Sequence, residues 1–209
     1  MVAGYTEQQI KYYQAGHADG GHAYICGHCG HKTAGRVVSG KTVNKGGSGP
    51  LITRFMLCTG CGNGSVENNN NITPGIRLGS NLEGLPQSVE VAYNEARDLM
   101  AICAYTSCEL ICRKILLHIA VDKGSKEDIS FEQCMEHLEK EGYITVTIKP
   151  WADLIRKHGN KSTHRLEAPD ENRAKATFTF TEQLLKIVYE MEHIAKKHIQ
   201  VTPNVQVSQ

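Results

Sequence analysis

The hydrophobic positions of the 209-residue chain follow two different periods, and the period changes near Leu85. Before that point, short apolar runs alternate with Gly-rich turns, which is typical of β-strands. The predicted strands are residues 23–25, 36–39 with 42–43, and 51–57. After Pro86, apolar residues recur every three or four positions, which is typical of amphipathic helices. The pattern predicts an α+β protein, with a small three-stranded sheet followed by an all-α bundle of four or five helices.

Residues that typically begin or end helices divide the helical part into separate helices. Ser130 caps the third predicted helix and Gly142 ends it. A short fourth helix follows Trp151 and ends at Gly159-Asn160, and Pro169 precedes a long last helix. The first two helices are predicted to turn inward Val89, Ala92, Tyr93, Ala96, Leu99, Met100 and Cys103, then Ala104, Cys108, Ile111, Cys112, Ile115 and Ile119. The third and last are predicted to turn inward Phe131, Cys134, Met135 and Leu138, then Ala174, Phe178, Thr181, Leu185, Val188, Met191 and Ala195.

Composition along the chain predicts where these parts meet. Residues 63–85 include four consecutive asparagines, Pro74 and several glycines, which is a linker composition. The predicted organisation is a ribbon with an N-terminal extension over residues 1–66, a linker over 67–85, a bundle over 86–201 and a flexible tail over 202–209. The extension contains a short amphipathic segment at residues 7–14.

Two Cys-x-x-Cys pairs carry the clearest chemistry in the first part. They are Cys26-Gly-His-Cys29 and Cys58-Thr-Gly-Cys61, and a glycine follows each. A two-residue spacing lets both thiolates of a tight turn point at one ion, and two such turns complete a tetrahedral site that suits Zn²⁺. The pattern predicts a zinc ribbon with a structural ion, because four thiolates leave no open position for a reacting water.

Other uses of these cysteines remain open at this point. Two disulfides, a redox pair and reduced thiols without a partner are the alternatives. A redox pair should begin a helix, whereas both pairs follow strand-like runs, and no exported-protein leader precedes them, so a cytoplasmic protein is expected. His22, His28 and His31 could each replace one cysteine as a ligand, although loop histidines facing solvent are the simpler interpretation.

Overall composition argues against a membrane-spanning protein and against a protein whose net charge alone attracts nucleic acid. Hydrophobic residues make up 40% of the chain, mean hydropathy is −0.35, and no apolar run approaches the roughly 20 residues that span a bilayer. The formal charge is +1, divided into +3 up to Leu85 and −2 beyond it. A nucleic-acid partner would therefore need a local basic patch.

The densest basic cluster lies at residues 156–165. It comprises Arg156, Lys157, His158, Lys161, His164 and Arg165 around Gly159-Asn160. Cations at the end of a helix match its dipole, which explains Arg156 and Lys157. His164 lies beyond the predicted helix end, and a histidine beside cations is kept neutral and able to accept a proton. The cluster is thus either a helix cap or a functional site.

The motif Ile155-Arg156-x-x-Gly159-Asn160-x-x-x-His164, with Pro86, Glu95-Ala96, Tyr105 and Arg113, is similar to a known family. Residues 86–197 resemble the HEPN-like domain of unknown function attached to bacterial restriction endonucleases and other defence proteins. The resemblance implies a homodimeric helical domain and metal-independent ribonuclease chemistry. In that chemistry His164 would activate a ribose 2′-hydroxyl and Arg156 would stabilise charge on the phosphate, with Asn160 between them and Lys157, Lys161 and Arg165 holding nucleic acid.

Two functions follow as expectations. The first is a zinc-containing protein of the defence or toxin type that binds nucleic acid, with RNA favoured, and that cuts it if the pair is catalytic. Seven residues separate Arg156 from His164, whereas those ribonucleases place four to six between the pair, which favours binding without cleavage. The alternative is a non-enzymatic adaptor in which the ribbon and the bundle are two protein-docking surfaces.

Overall fold

The computed structural model describes residues 21–42, 51–164 and 168–201, and side chains within 21–40, 53–157 and 168–199. The amphipathic segment 7–14 and the tail 202–209 lie outside the described residues. The chain divides between Leu78 and Gly79 into two compact units. The first is an antiparallel sheet and the second is helical, so the predicted α+β class is confirmed.

The first unit is a five-stranded antiparallel meander in which each strand pairs with the next along the chain. Its strands are β1 (His22–Ile25), β2 (Lys32–Thr42), β3 (Leu51–Cys58), β4 (Gly64–Asn68) and β5 (Asn71–Thr73). The three runs that alternate in the sequence form β1, β2 and β3. Strands β4 and β5 were not expected from the sequence.

One face of this sheet carries the core of the unit. Tyr24, Val37 and Met56 are buried there together with Cys26 and Cys58. The Tyr24 ring lies across Gly35, where an added Cβ would come within 2.6 Å of the ring. Its hydroxyl donates to Ser65 Oγ on β4 at 3.5 Å. A single aromatic ring therefore covers most of the width of the sheet.

The predicted linker 67–85 is structured on both sides of Leu78. Residues 67–73 end β4 and form β5, joined by a two-residue turn at Asn69 and Asn70, whose φ angles are 49° and 67°. Asparagine tolerates this left-handed conformation, which two-residue hairpin turns require. The run of asparagines that indicates a linker in the sequence is the turn of a β-hairpin.

Residues 79–85 are attached to the helical unit. The backbone N–H and hydroxyl of Ser80 donate to Glu182 Oε1 at 3.0 and 2.9 Å. The buried Arg97 donates to the Gly79 carbonyl at 3.2 Å and to Asn81 Oδ1 at 2.7 Å. Further along, the N–H of Glu83 donates to Glu190 at 3.1 Å.

Six α-helices and one π-helical turn make up the described part of the second unit. They are α1 (Gln87–Ala101), α2 (Tyr105–Asp122), α3 (Phe131–Lys140), α4 (Lys149–His164), α5 (Glu171–Leu185), the π turn (Lys186–Glu190) and α6 (Met191–Val201). The inward positions predicted for α3 are confirmed, and a capping box between Ser130 and Gln133 begins that helix. In α1, Tyr93 is buried and stacks on Phe178 of α5, with 5.6 Å between ring centroids.

Three predicted inward positions, near the ends of two helical segments, are wrong. Cys103 is exposed because α1 stops at Ala101 and the chain turns through Cys103 with a φ of 61°. Met191 and Ala195 are exposed because the π turn before α6 shifts the helical register. The π turn also places Tyr189 against α2, where its hydroxyl donates to Asp122 Oδ2 at 3.1 Å.

No helix within the described residues is long and apolar enough to cross a membrane.

Candidate metal centre and the basic helix

The two cysteine pairs form two turns with the same backbone pattern. In the first, the N–H of Gly30 donates to the Cys26 carbonyl at 2.8 Å, and in the second the N–H of Gly62 donates to the Cys58 carbonyl at 2.9 Å. Gly30 and Gly62 have φ angles of 74° and 75°. An added Cβ would meet no atom within 4 Å at either position, so glycine is needed there for its backbone freedom and not for space.

These turns bring four sulfur atoms together. The Sγ atoms of Cys26 and Cys61 lie 3.8 Å apart, as do those of Cys29 and Cys58. All four lie within 4.8 Å of one another. Zn–S bonds of about 2.3 Å in a tetrahedron require sulfurs about 3.8 Å apart, whereas a disulfide requires about 2.05 Å. The arrangement therefore matches a metal site and does not match two disulfides.

Polar contacts outside the sulfurs join the two turns. His28 Nε2 lies 2.9 Å from the carbonyl oxygen of Gly64, and the hydroxyls of Thr33 and Thr59 lie 2.7 Å apart. His22 Nε2 instead lies 3.4 Å from the Glu67 carboxylate. Among the described residues, the cluster that could hold a metal ion consists of the four cysteines and includes no histidine.

The segment after β5 closes over the first turn. An added Cβ at Gly27 would lie 2.3 Å from the Gly75 carbonyl oxygen and 2.4 Å from that of Pro74. Gly27 is therefore fixed as glycine by a close backbone approach. Residues 74–75 thus pack against the first turn, in which Cys26 is fully buried.

Backbone donors favour a thiolate at one position of the centre. The pKa of the Cys58 thiol falls to about 6, because the N–H groups of Cys61 and Gly60 point at its sulfur at 3.5 and 3.3 Å and outweigh its burial. The side-chain amide of Asn63 lies 3.5 Å from Cys61 Sγ. Such N–H···S contacts stabilise the negative sulfurs that metal binding requires.

The basic cluster lies on a longer helix than the sequence predicts. Helix α4 runs through Gly159 and Asn160 to His164, so the helix end predicted at Gly159-Asn160 is wrong. Positions 156, 160 and 164 follow one another at four-residue steps of a single helix. The side chains of Asn160, Lys161 and His164 lie outside the described residues, and so does the whole of Arg165.

Arg156 lies among carboxylates. Its guanidinium is 3.0 Å from Asp153 Oδ1 on the same helix, and 3.4 and 3.9 Å from Glu132 Oε1 and Glu136 Oε1 on α3. The side chain is 28% exposed. Lys157, one position on, is exposed. The arginine thus links α3 to α4 within a surrounding of negative charge.

Sequence reasoning missed a buried charged group on α2. Arg173 of α5 donates twice to the Glu109 carboxylate, with both contacts at 2.9 Å. Glu109 is only 5% exposed. Arg113 lies near this pair and stacks on Phe131, with 4.4 Å between its guanidinium carbon and the ring centroid. Burial lowers the pKa of Arg113. An acidic residue between the inward positions Cys108 and Cys112 is the signal that indicates such a pair.

The helical unit matches a known family. The model of a domain of unknown function, DUF4145, matches residues 94–201, just over half of the chain. The chain belongs to the DUF4145 family. The matched segment contains Arg156 and the Glu109–Arg173 pair, and it excludes the metal centre. No curated protein and no solved structure matches the chain.

The metal centre predicts a contrast between two exposed cysteines. Cys61→Ser should lower the bound metal to well below one ion per chain, because one of four ligands is lost. Cys103→Ser, a change of the same atoms at an exposed position outside the centre, should leave the metal content unchanged. Elemental analysis of the purified full-length variants measures this. Equal metal content in the two variants would contradict the four-cysteine centre.

The carboxylates around Arg156 predict a structural effect of its removal. Arg156→Ala should lower the free energy of unfolding by about 0.5–1 kcal/mol, because Asp153, Glu132 and Glu136 are then left repelling one another. Added salt should reduce the difference by screening. Lys157→Ala is the neighbouring control and should change stability by less than about 0.5 kcal/mol. Urea denaturation measures both, and equal stabilities of all three proteins would be the contrary result.

Proposed function

We propose that this protein is a non-enzymatic binding protein whose first unit is held together by Zn²⁺ at Cys26, Cys29, Cys58 and Cys61. The four-sulfur geometry supports a closed site, since an ion held by four thiolates has no position left for a substrate or a water. A closed site contributes to folding and not to chemistry.

The observation that carries this proposal is the surrounding of Arg156. An arginine that stabilises charge on a phosphate must present its guanidinium to that phosphate. Here three carboxylates lie within 3.0–3.9 Å of it. An incoming phosphate would have to displace them and would be repelled by them. The position therefore favours a role in joining α3 to α4 over catalysis.

A HEPN-like helical unit and a defence role remain proposals. The family match over residues 94–201 and the helical architecture are compatible with that domain type. Ribonuclease roles for Arg156, Asn160 and His164 are the enzymatic alternative to the non-enzymatic function proposed above, and a cytoplasmic location is proposed with either.

Nucleic-acid binding, with RNA favoured, is the second candidate. Its support is the charge of the first unit, because residues 1–78 contain seven Lys or Arg and three acidic residues. Four thiolates around Zn²⁺ would remove about two of these positive charges and leave the unit basic. Such an excess attracts polyanions, and counterion release would make the affinity fall as salt rises.

Affinity purification of the tagged full chain from its own cells, with and without nuclease, distinguishes these functions. The adaptor proposal expects a stoichiometric protein partner that survives nuclease treatment and is lost with Cys61→Ser. A complex that dissolves on nuclease treatment would support the second candidate. Purified protein that cuts structured RNA, with loss of cleavage in Arg156→Ala and His164→Ala but not in Lys157→Ala, would overturn the adaptor proposal.

We also propose a homodimer through the helical unit. A groove of about 290 Å³ between α1 and α2 is lined by apolar side chains together with Glu95 and Lys114. Val91, which also lines the groove, is 62% exposed. A twofold interface meets its own surface, so a patch with both charges can pair with itself. Light scattering should give twice the chain mass, and Val91→Glu should halve it. A mass near 23.0 kDa for the unmodified protein would contradict this.

A further inference from the structure

The second face of the ribbon sheet carries apolar side chains that the core does not use. Phe55 and Val66 are directly paired across β3 and β4, and Leu57 follows on the same face of β3. Ile25 lies on this face of β1, opposite Lys32. These four apolar residues, Phe55, Val66, Leu57 and Ile25, are 46%, 36%, 41% and 42% exposed.

The register of the sheet places Phe55, Leu57 and Val66 side by side on β3 and β4, while Ile25 and Lys32 lie farther along the same face, four residues from Arg36 on β2. Arg36 pairs with Leu57, and Lys32 and Ala34 precede Arg36 on the same face of β2. The three neighbouring apolar residues Phe55, Leu57 and Val66 together expose on the order of 200 Å² on this face. We name this surface, formed by Ile25, Phe55, Leu57 and Val66 with Lys32 and Arg36, the outer face.

The charge of the outer face has one sign. The single acidic residue of residues 21–78, Glu67, lies on the opposite face, because it pairs with Arg54 next to the Phe55–Val66 pair. There it is 4% exposed and contacts Arg54 and His22. Residues 21–78 therefore place cations, and no carboxylate side chain, beside the exposed apolar residues.

We propose that the outer face binds an acidic, apolar peptide segment of a partner protein. Alternating side chains of an extended segment would place apolar groups against Phe55 and Leu57 and carboxylates near Lys32 and Arg36. The composition of the outer face favours a peptide over a nucleic acid. Base-stacking surfaces are built from several aromatic rings, whereas three of the four apolar residues here are aliphatic.

This inference rests on the proposed binding function and names the surface and the chemistry of the partner. The metal centre makes the face available. Cys58 and Cys26 are buried on the core side at the ends of β3 and β1, so Phe55, Leu57 and Ile25 at alternating positions are directed away from the core.

The test is a selection from a random-peptide display library on the full-length zinc-loaded protein, with the double variant Phe55→Ser, Leu57→Ser as the counter-selection target. Both side chains are exposed, so the variant should keep its zinc and its thermal midpoint, which are checked first. We expect enriched peptides with more Asp and Glu than the input and apolar residues at alternate positions. A synthetic copy should bind the unmodified protein roughly 30-fold more tightly than the double variant.

Matched variants assign the effect to the face. Lys32→Glu should weaken binding of the selected peptide about 2- to 5-fold. Val146→Ser removes an apolar side chain that is 89% exposed on the helical unit, and it should have no effect. A charge-reversed peptide, with Lys for each acidic residue, should not bind.

Several results would overturn the proposal. No enrichment over the double variant, or enrichment of basic peptides, would remove the peptide partner. A labelled oligonucleotide whose binding is lost in the double variant would assign the face to nucleic acid. A fall in molar mass in that variant would assign it to a second copy. A nuclease-resistant partner that still co-purifies with the double variant would refute this face while leaving the proposed function intact.

Discussion

The first unit depends on the meeting of four sulfur atoms at one end of its sheet. Its buried apolar cluster contains Tyr24, Val37 and Met56, and the other two members are cysteines of the centre. So small a core cannot fix a five-stranded sheet, since little apolar surface leaves water when it forms. Joining Cys26 and Cys29 to Cys58 and Cys61 ties β1 and β2 to β3 and β4, and it does so at the turns where backbone order is otherwise weakest.

The sequence predicted this centre well because its chemistry is local. The spacing of each cysteine pair and the glycine after it specify a turn whatever the rest of the chain does. Strands β4 and β5 were not predicted, because they depend on contacts between residues that are far apart in the sequence. Glu67 appears in the sequence as a solvent-exposed charge, yet it is buried by contacts with Arg54 and His22 from other strands. Only the register of the sheet brings those partners together.

In the helical unit, too, local features were predicted from the sequence and features that depend on distant contacts were not. Periodicity predicted α1, α2 and α3, where each helix buries one continuous stripe. It failed at Gly159, where α4 continues, and at the π turn, where Tyr189 reaches Asp122. Glycine disfavours a helix by only about 1 kcal/mol, and packing of the preceding turn, in which Ile155 is 1% exposed, can outweigh that. Propensity is a weak guide where tertiary contacts decide.

The candidate site residues show most clearly that neighbours in the sequence do not predict neighbours in space. Arg156 stands in a basic stretch of sequence, but Glu132 and Glu136 approach it from another helix, and its surroundings in space are acidic. The outer face of the first unit is the converse, because Phe55, Leu57, Val66 and Ile25 come from three strands and none of them indicates a binding surface by itself. Charged residues and exposed apolar area are evidence for a binding surface only when the fold shows which residues lie beside them. On that ground the outer face of the first unit, rather than helix α4, is the surface on which a partner is best sought.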